Sequence, residues 1–223
     1  MSATLTETPP ETAEGSLPPP RRGFGVGILA LGVVVGLLAG FAVAMFALRP
    51  DPPPGDDSPE AGFARDMITH HDQAVTMGMI AYVRATDPAV RQLGYDIAMT
   101  QQGQIGMMHQ WLLDWGLDPT GSQPRMAWMA DELDQAMIQQ AGLMPGMATE
   151  EEMARLREEA EGVEVDLLFL DLMTTHHLGG LHMVDAVLER SDHPQVTALA
   201  EIMRAGQEKE LQELTALKDR LGG

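Results

Sequence analysis

Two short stretches of the chain repeat one pairing of metal-capable side chains, Met67-x-x-His70-His71 and Met173-x-x-His176-His177. Imidazole nitrogen and thioether sulfur together suit copper, and the soft thioether favours Cu(I) in particular. At spacings of three and four, Met67 with His70 or His71 lies within one helical turn and could chelate an ion from a single helix. Met77 and Met183 follow His70 and His176 by seven residues, about 10.5 Å of helical rise. Each therefore needs ligands from another helix to share a metal, or it packs. Cysteine is absent, which removes thiolate sites, disulfides and cysteine nucleophiles and leaves His, Met, carboxylate and carbonyl donors.

The two stretches belong to an internal duplication at an offset of 106. FARDMITHHDQAVTM (63–77) and FLDLMTTHHLGGLHM (169–183) share six of fifteen residues without a gap. The offset continues through Pro88/Pro194, Val90/Val196, Leu93/Leu199 and Gln101/Gln207, and matches Ile105, Met108 and Trp111 to Leu211, Leu214 and Leu217. Each half reads as a helix, a turn carrying Asp-Pro or His-Pro, and a second helix. With Phe63 at zero, Met67, His70, Ala74 and Met77 fall within about 40° of one line, and His71 lies at the edge near 80°. The second helix places Ile97, Gln101, Gln104, Ile105, Met108, Trp111 and Trp115 on one face. Two such amphipathic pairs bury their stripes against each other, so an all-α four-helix bundle is predicted, with no alternating β-branched run to indicate a sheet.

Buried imidazoles and amides need partners. A polar layer is therefore expected in which His70 and His176 face Gln101, Gln104, Gln207 and Glu210. If a metal is bound, Gln101, Gln104, Gln207 and Glu210 would support the ligating imidazoles, with Gln101 and Gln207 fixing their tautomer. Methionine is abundant, at 17 of 223 residues. Met99, Met126, Met129, Met137, Met144, Met147, Met153 and Met203 are read as gap-filling core. His182 is read as peripheral, and His109 and His193 as surface residues.

Residues 23–48 carry no charge and are long enough to span a bilayer as a single helix. Arg21 and Arg22 before the span outnumber Arg49 after it, which Asp51, Asp56 and Asp57 soon follow, and this Lys/Arg bias predicts the N-terminus inside and the following domain outside. A cleaved leader ending near Ala44 is the competing reading. The organisation expected is a disordered cytoplasmic tail (1–22), an anchor (23–48), a Pro-rich spacer (49–58), a first helix pair (59–117), a connecting segment with short helices (118–160) and a second helix pair (161–223). Ser58 caps the first helix with Pro59 at its first position, and Thr149-x-x-Glu152 reads as a capping box. With 33 acidic and 14 basic residues the net charge is −19, which argues against a nucleic-acid partner.

Carboxylate-bridged di-iron bundles need Glu-x-x-His on two helices, and the sequence contains none. It has neither a nucleophile elbow nor a phosphate loop. At the repeated motif the chain resembles the domain of unknown function family 305 (DUF305), over about residues 58–221. Its hallmark is a duplicated Met-x-x-His-His helix followed by a Gln-rich helix, here Phe63 to Met77 with QQGQIGMMHQWL (101–112), and Phe169 to Met183 with a weaker second copy. The resemblance implies a ferritin-like four-helix bundle, exported or anchored, with some members associated with copper. It carries Met67, His70, His71, Met77, Met108, Met173, His176, His177 and Met183 onto the family's motif positions as metal ligands. Gln104 departs from the Glu common in relatives, and Gly179-Gly180 predicts a looser helix in the second copy. The function expected is copper binding for scavenging, buffering or delivery at the membrane, without catalysis. The alternative is a metal-free interaction module whose polar layer fixes helix register. Affinity for the metal is expected to fall as pH drops below the histidine range.

Overall fold

A computed structural model of the chain describes residues 24–48, 52–129 and 142–222. The tail (1–22), most of the apolar run's flanks and Met137 lie outside the described residues. The chain divides into two compact units, Met1–Pro52 and Pro53–Gly223. In the first, helix α1 (Phe24–Ala47) is apolar on every side and long enough to cross a membrane.

The second unit is all helical among the described residues. Helix α2 (Pro59–Arg84) starts where the Ser58 hydroxyl accepts from the Ala61 amide at 3.2 Å, with Pro59 at its first position. Helix α3 (Pro88–Asp114) starts in the same way, with Asp87 accepting from Ala89 and Val90. A short helix α4 (Glu150–Ala154), opened by the reciprocal Thr149/Glu152 capping box, runs on as a π-helical turn, Arg155–Glu159. Helices α5 (Val163–Leu188) and α6 (Pro194–Leu221) form the second pair. The antiparallel pairs α2/α3 and α5/α6 meet chiefly through α2 and α5, while α3 and α6 touch sparsely.

The duplication is visible in the ties between pairs as well as in the helices. Buried Asp166 accepts from the Thr86 amide and hydroxyl and the Asp87 amide at 2.5–3.1 Å, holding the α2–α3 turn. Glu60, 106 residues earlier, accepts from the Ser191 hydroxyl at 2.5 Å beside the α5–α6 turn. Arg220 near the end of α6 adds a bidentate pair with Asp87, both bonds 2.8 Å. One buried acid breaks the symmetry: Asp66 accepts from the Met126 amide and the Trp128 indole, and burial raises its pKa against those two bonds.

The apolar core falls into two clusters. One gathers Met67, Met108, Met183 and Met203 with Phe63, Trp111 and Val196. The other gathers Met77 and Met173 with Ile97, Phe169, Leu170 and Leu214. Between them, on all four long helices, lie His70/His71, Gln101/Gln104, His176/His177 and Gln207/Glu210. The polar layer expected from the sequence therefore crosses the middle of the bundle.

Candidate metal centre

All four histidines of the layer are buried, because α2 and α5 are the helices that face each other and their inner stripes carry the doublets. The His70 and His176 rings stack with centroids 3.8 Å apart and planes tilted by 34°. His71 and His177 each lie 6.4 Å from their doublet partner and turn outward to their own second helix. His71 Nε2 is 2.7 Å from Gln104 Oε1, and His177 Nε2 is 2.6 Å from Glu210 Oε2. His70 Nε2 is 3.0 Å from the Pro145 carbonyl, and His176 Nε2 is 3.0 Å from the His70 carbonyl.

This corrects the expected pairing of His70 and His176 with the glutamines. The inner member of each doublet points across the α2–α5 contact, where only backbone carbonyls are within reach. The outer member, near 80° on the wheel, is the one that reaches α3 or α6. Of the four groups expected to support the imidazoles, Gln104 and Glu210 lie within hydrogen-bond distance of one, and Gln101 and Gln207 do not. Neither Gln101 side-chain atom has a hydrogen-bond partner, and Gln207 Oε1 also lacks one.

The partners fix the tautomer. Carbonyl and carboxylate oxygens only accept, so Nε2 carries the proton and Nδ1 keeps its lone pair. On His70, His71, His176 and His177 the Nδ1 atom is buried without a hydrogen-bond partner. Orphaned polar atoms cost stability, about 1–3 kcal/mol each, and native folds carry few. Seven lie in this one layer, four of them the same atom of four imidazoles whose other nitrogen is held, an arrangement that could present donors to a ligand. Burial holds the pKa of His70 down at about 4 and that of His71 at about 3; His176 is also well below the usual range. These rings are neutral, the form that ligates.

The sulfurs flank the layer. Met67 of the first repeat shares a cluster with Met108 and with Met183 of the second, and Met77 shares one with Met173. All five are fully buried. The antiparallel arrangement gives Met77 the neighbours from another helix that its spacing demands. Among the described residues no three His, Asp or Glu side chains converge as a metal cluster. Imidazoles occur in pairs, so coordination beyond two nitrogens has to draw on thioether sulfur.

Gly179 and Gly180 do not interrupt α5. A Cβ on Gly179 would lie 2.1 Å from the Pro145 carbonyl oxygen, the acceptor of His70, and one on Gly180 would lie 2.7 Å from Gln207 Oε1. The glycines are there for close approach, not flexibility. Pro145 and Gln73, which clamps both backbone groups of Ala148 at 2.8–2.9 Å, carry no motif in the sequence, and Gly179 is read there only as loosening its helix. The one available signal was the Gly pair within an otherwise unbroken apolar stripe. Among the other methionines, Met126, Met129, Met144, Met153 and Met203 are core as expected, but Met99 is 53% exposed. His109 and His182 are exposed, and His193 is half-buried with its ring edge-on to Trp115 at 5.4 Å.

The DUF305 family model, a domain of unknown function, matches residues 60–218. Among solved structures the chain is similar to a DUF305 protein from Streptomyces coelicolor described as secreted, at 41% identity and a TM-score of 0.67, covering 76% of this chain and 96% of that one. A DUF305 fragment from Deinococcus radiodurans gives 28% identity and 0.62 over 76% and 99%. CopM in its Cu(I)-bound form gives 18% and 0.56 over 76% and 99%, a likeness that shows the fold alone. No curated protein matches the chain. The doubled Met-x-x-His-His helix, its place in the bundle and the span of the family match agree: the chain belongs to the DUF305 family.

Proposed function

We propose that this protein binds copper, as Cu(I), in the histidine layer, and that it scavenges, buffers or delivers the ion without catalysing a reaction. The observation that carries this reading is the set of four buried imidazoles whose Nε2 atoms are all engaged and whose Nδ1 atoms all lack a hydrogen-bond partner. His70, His71, His176 and His177 would supply nitrogen, and Met67, Met108 and Met183 on one side, with Met77 and Met173 on the other, would supply sulfur. Nitrogen and thioether donors without thiolate or a carboxylate pair select a soft monovalent ion over calcium or magnesium. CopM, which shares the fold, has been solved in Cu(I)-, Cu(II)- and Ag-bound forms, and that supports the reading by analogy of fold only.

In this reading α1 is a retained anchor and the bundle lies outside the cell membrane. The acidic surface raises the local cation concentration there. The test is thermal melting of residues 53–223 with and without Cu(I) under reductant. A ligand bound to the folded state alone at a hundred times its Kd adds about 2.7 kcal/mol, so the midpoint must rise. No rise, or the same rise in a folded variant with all four layer histidines changed to Ala, rejects the site and favours a polar layer that only sets helix register.

A further inference from the structure

The proposed ligands are sealed: the four histidines and five motif methionines are all at most 1% exposed. An ion therefore needs donors nearer the surface to begin exchange. Among the described residues, one non-helical segment reaches the histidine layer, and it carries two more thioethers. Met144-Pro145-Gly146-Met147 closes as a β-turn, with the Met147 amide donating to the Met144 carbonyl at 3.2 Å and Gly146 at φ 78°. Pro at the second position and a positive-φ Gly at the third are the requirements of a type II turn, which brings its end residues within about 7 Å. The two sulfurs are therefore borne on neighbouring backbone positions.

This turn is fixed on the layer. Its Pro145 carbonyl accepts from His70 Nε2 at 3.0 Å, the bare Cα of Gly179 lets that carbonyl in, and Gln73 holds Ala148 just beyond. Met144 is buried in the cluster containing Met67, Met108 and Met183, and half-buried Met147 packs against the same cluster. Both also line a cavity of about 500 Å³ with Thr69, the residue before His70, and with Arg125. Among the described residues its lining offers sulfur and hydroxyl donors and no carboxylate. Arg125 opposes any cation there, and opposes a divalent one twice as strongly as a monovalent one.

We propose that Met144 and Met147 form an entry site for a soft monovalent cation, Cu(I) or Ag(I), which they capture and pass to the imidazoles and thioethers of the layer. The proposal rests on the copper reading above and adds a route to it. Transfer is ligand exchange at constant oxidation state, the layer's donors replacing the two thioethers of the turn.

The test uses the full chain in detergent micelles, following loss of the absorbance of a Cu(I)–bathocuproine disulfonate complex by stopped flow. In the Met144→Leu/Met147→Leu variant, whose side chains keep the apolar volume, loading should be about tenfold slower or more. Its final stoichiometry should equal that of the unaltered protein. Equal rates overturn the entry site, and so does a lower final stoichiometry, which would make these sulfurs ligands of the buried centre. A second measurement does not depend on the variant folding. With methyl-labelled methionine in the unaltered protein and Ag(I) added beyond saturation of the layer, the Met144 and Met147 methyl resonances should shift; unmoved resonances overturn the proposal. If the unaltered protein takes up no Cu(I) at all, the copper reading itself falls. Full loading at rates unchanged in the variant removes only the entry site.

Discussion

At the scale of single residues, the histidine layer works by dividing each imidazole into a tethered nitrogen and a free one. Two-dimensional ¹⁵N spectra should show protonated Nε2 and bare Nδ1 on His70, His71 and His176 at pH 6; a protonated Nδ1 on any of them would remove it as a ligand. Burial makes the same residues acid-sensitive in a defined sense. In the unfolded chain a histidine titrates near 6.5, whereas His70 and His71 do so at about 4 and about 3, and His176 also well below the ordinary value. Between those limits the unfolded state binds protons that the folded state does not. Stability is therefore level above pH 6.5 and falls as pH drops towards 4, by about 1.4 kcal/mol per pH unit for each histidine fully in that window. Urea unfolding of metal-free protein at pH 7.5, 6 and 5 should show this decline, and a flat profile would contradict the buried neutral layer. The expectation that metal affinity fails below the ordinary histidine range needs correction on the same ground. Protons compete for His70 only as pH nears 4, and for His71 and His176 only well below the ordinary range, so the part these three rings play in Cu(I) binding should hold to pH 5. The doublets were legible because two residue types recurred at one offset. Gln104 and Glu210 were legible as members of the layer, but which ring takes which partner was not, because wheel angles rank faces without showing that α2 and α5 approach closely enough for His176 to reach the His70 carbonyl.

At the scale of elements, capping residues and period-3.6 stripes were enough to read the helix pairs, as Ser58, Asp87 and the Thr149/Glu152 box illustrate. The Gly179-Gly180 pair was misread because helix propensity counts a glycine as weakness and contains nothing about what comes near it. The two glycines make opposite predictions. Gly179→Ala drives a Cβ to 2.1 Å from a backbone carbonyl, which cannot swing away without displacing the Pro145 turn. It should destabilise the domain by about 1–3 kcal/mol despite the better helix propensity. Gly180→Ala meets the end of the Gln207 side chain at 2.7 Å, and a flexible amide with an orphaned oxygen can shift. The first repeat has Ala74 at the equivalent position, on a continuous helix. Gly180→Ala should therefore be neutral or stabilising by up to about 1 kcal/mol. Thermal melts of both variants decide it: equal losses would show that close approach does not explain the pair.

At the scale of the whole molecule, the question is what the apolar helix does for an acidic bundle. Helix α1 has 24 residues, about 36 Å at 1.5 Å per residue, against a hydrocarbon core of roughly 30 Å. A cleaved leader has an apolar region of about 7–15 residues, and the greater length of α1 is what supports the proposed retained anchor. Three of the 33 acids and two of the 14 bases lie in the first 22 residues, so nearly all the net negative charge follows the span. Lys and Arg bias, not net charge, sets orientation, and Arg21 and Arg22 outnumber Arg49 near the ends of the span. The bundle is thereby expected outside, tethered by the Pro-rich spacer. Expressed with its full N-terminus, the protein should stay in the membrane fraction through alkaline carbonate extraction, and its intact mass should retain residues 1–48. Protease added to cells permeable only at the outer surface should digest the bundle and spare the N-terminal tail. Recovery of a soluble form beginning near Met45 would show that the helix is a leader, removed on export. Without the tether, the copper reading would have to describe a freely diffusing buffer in place of one held at the membrane surface.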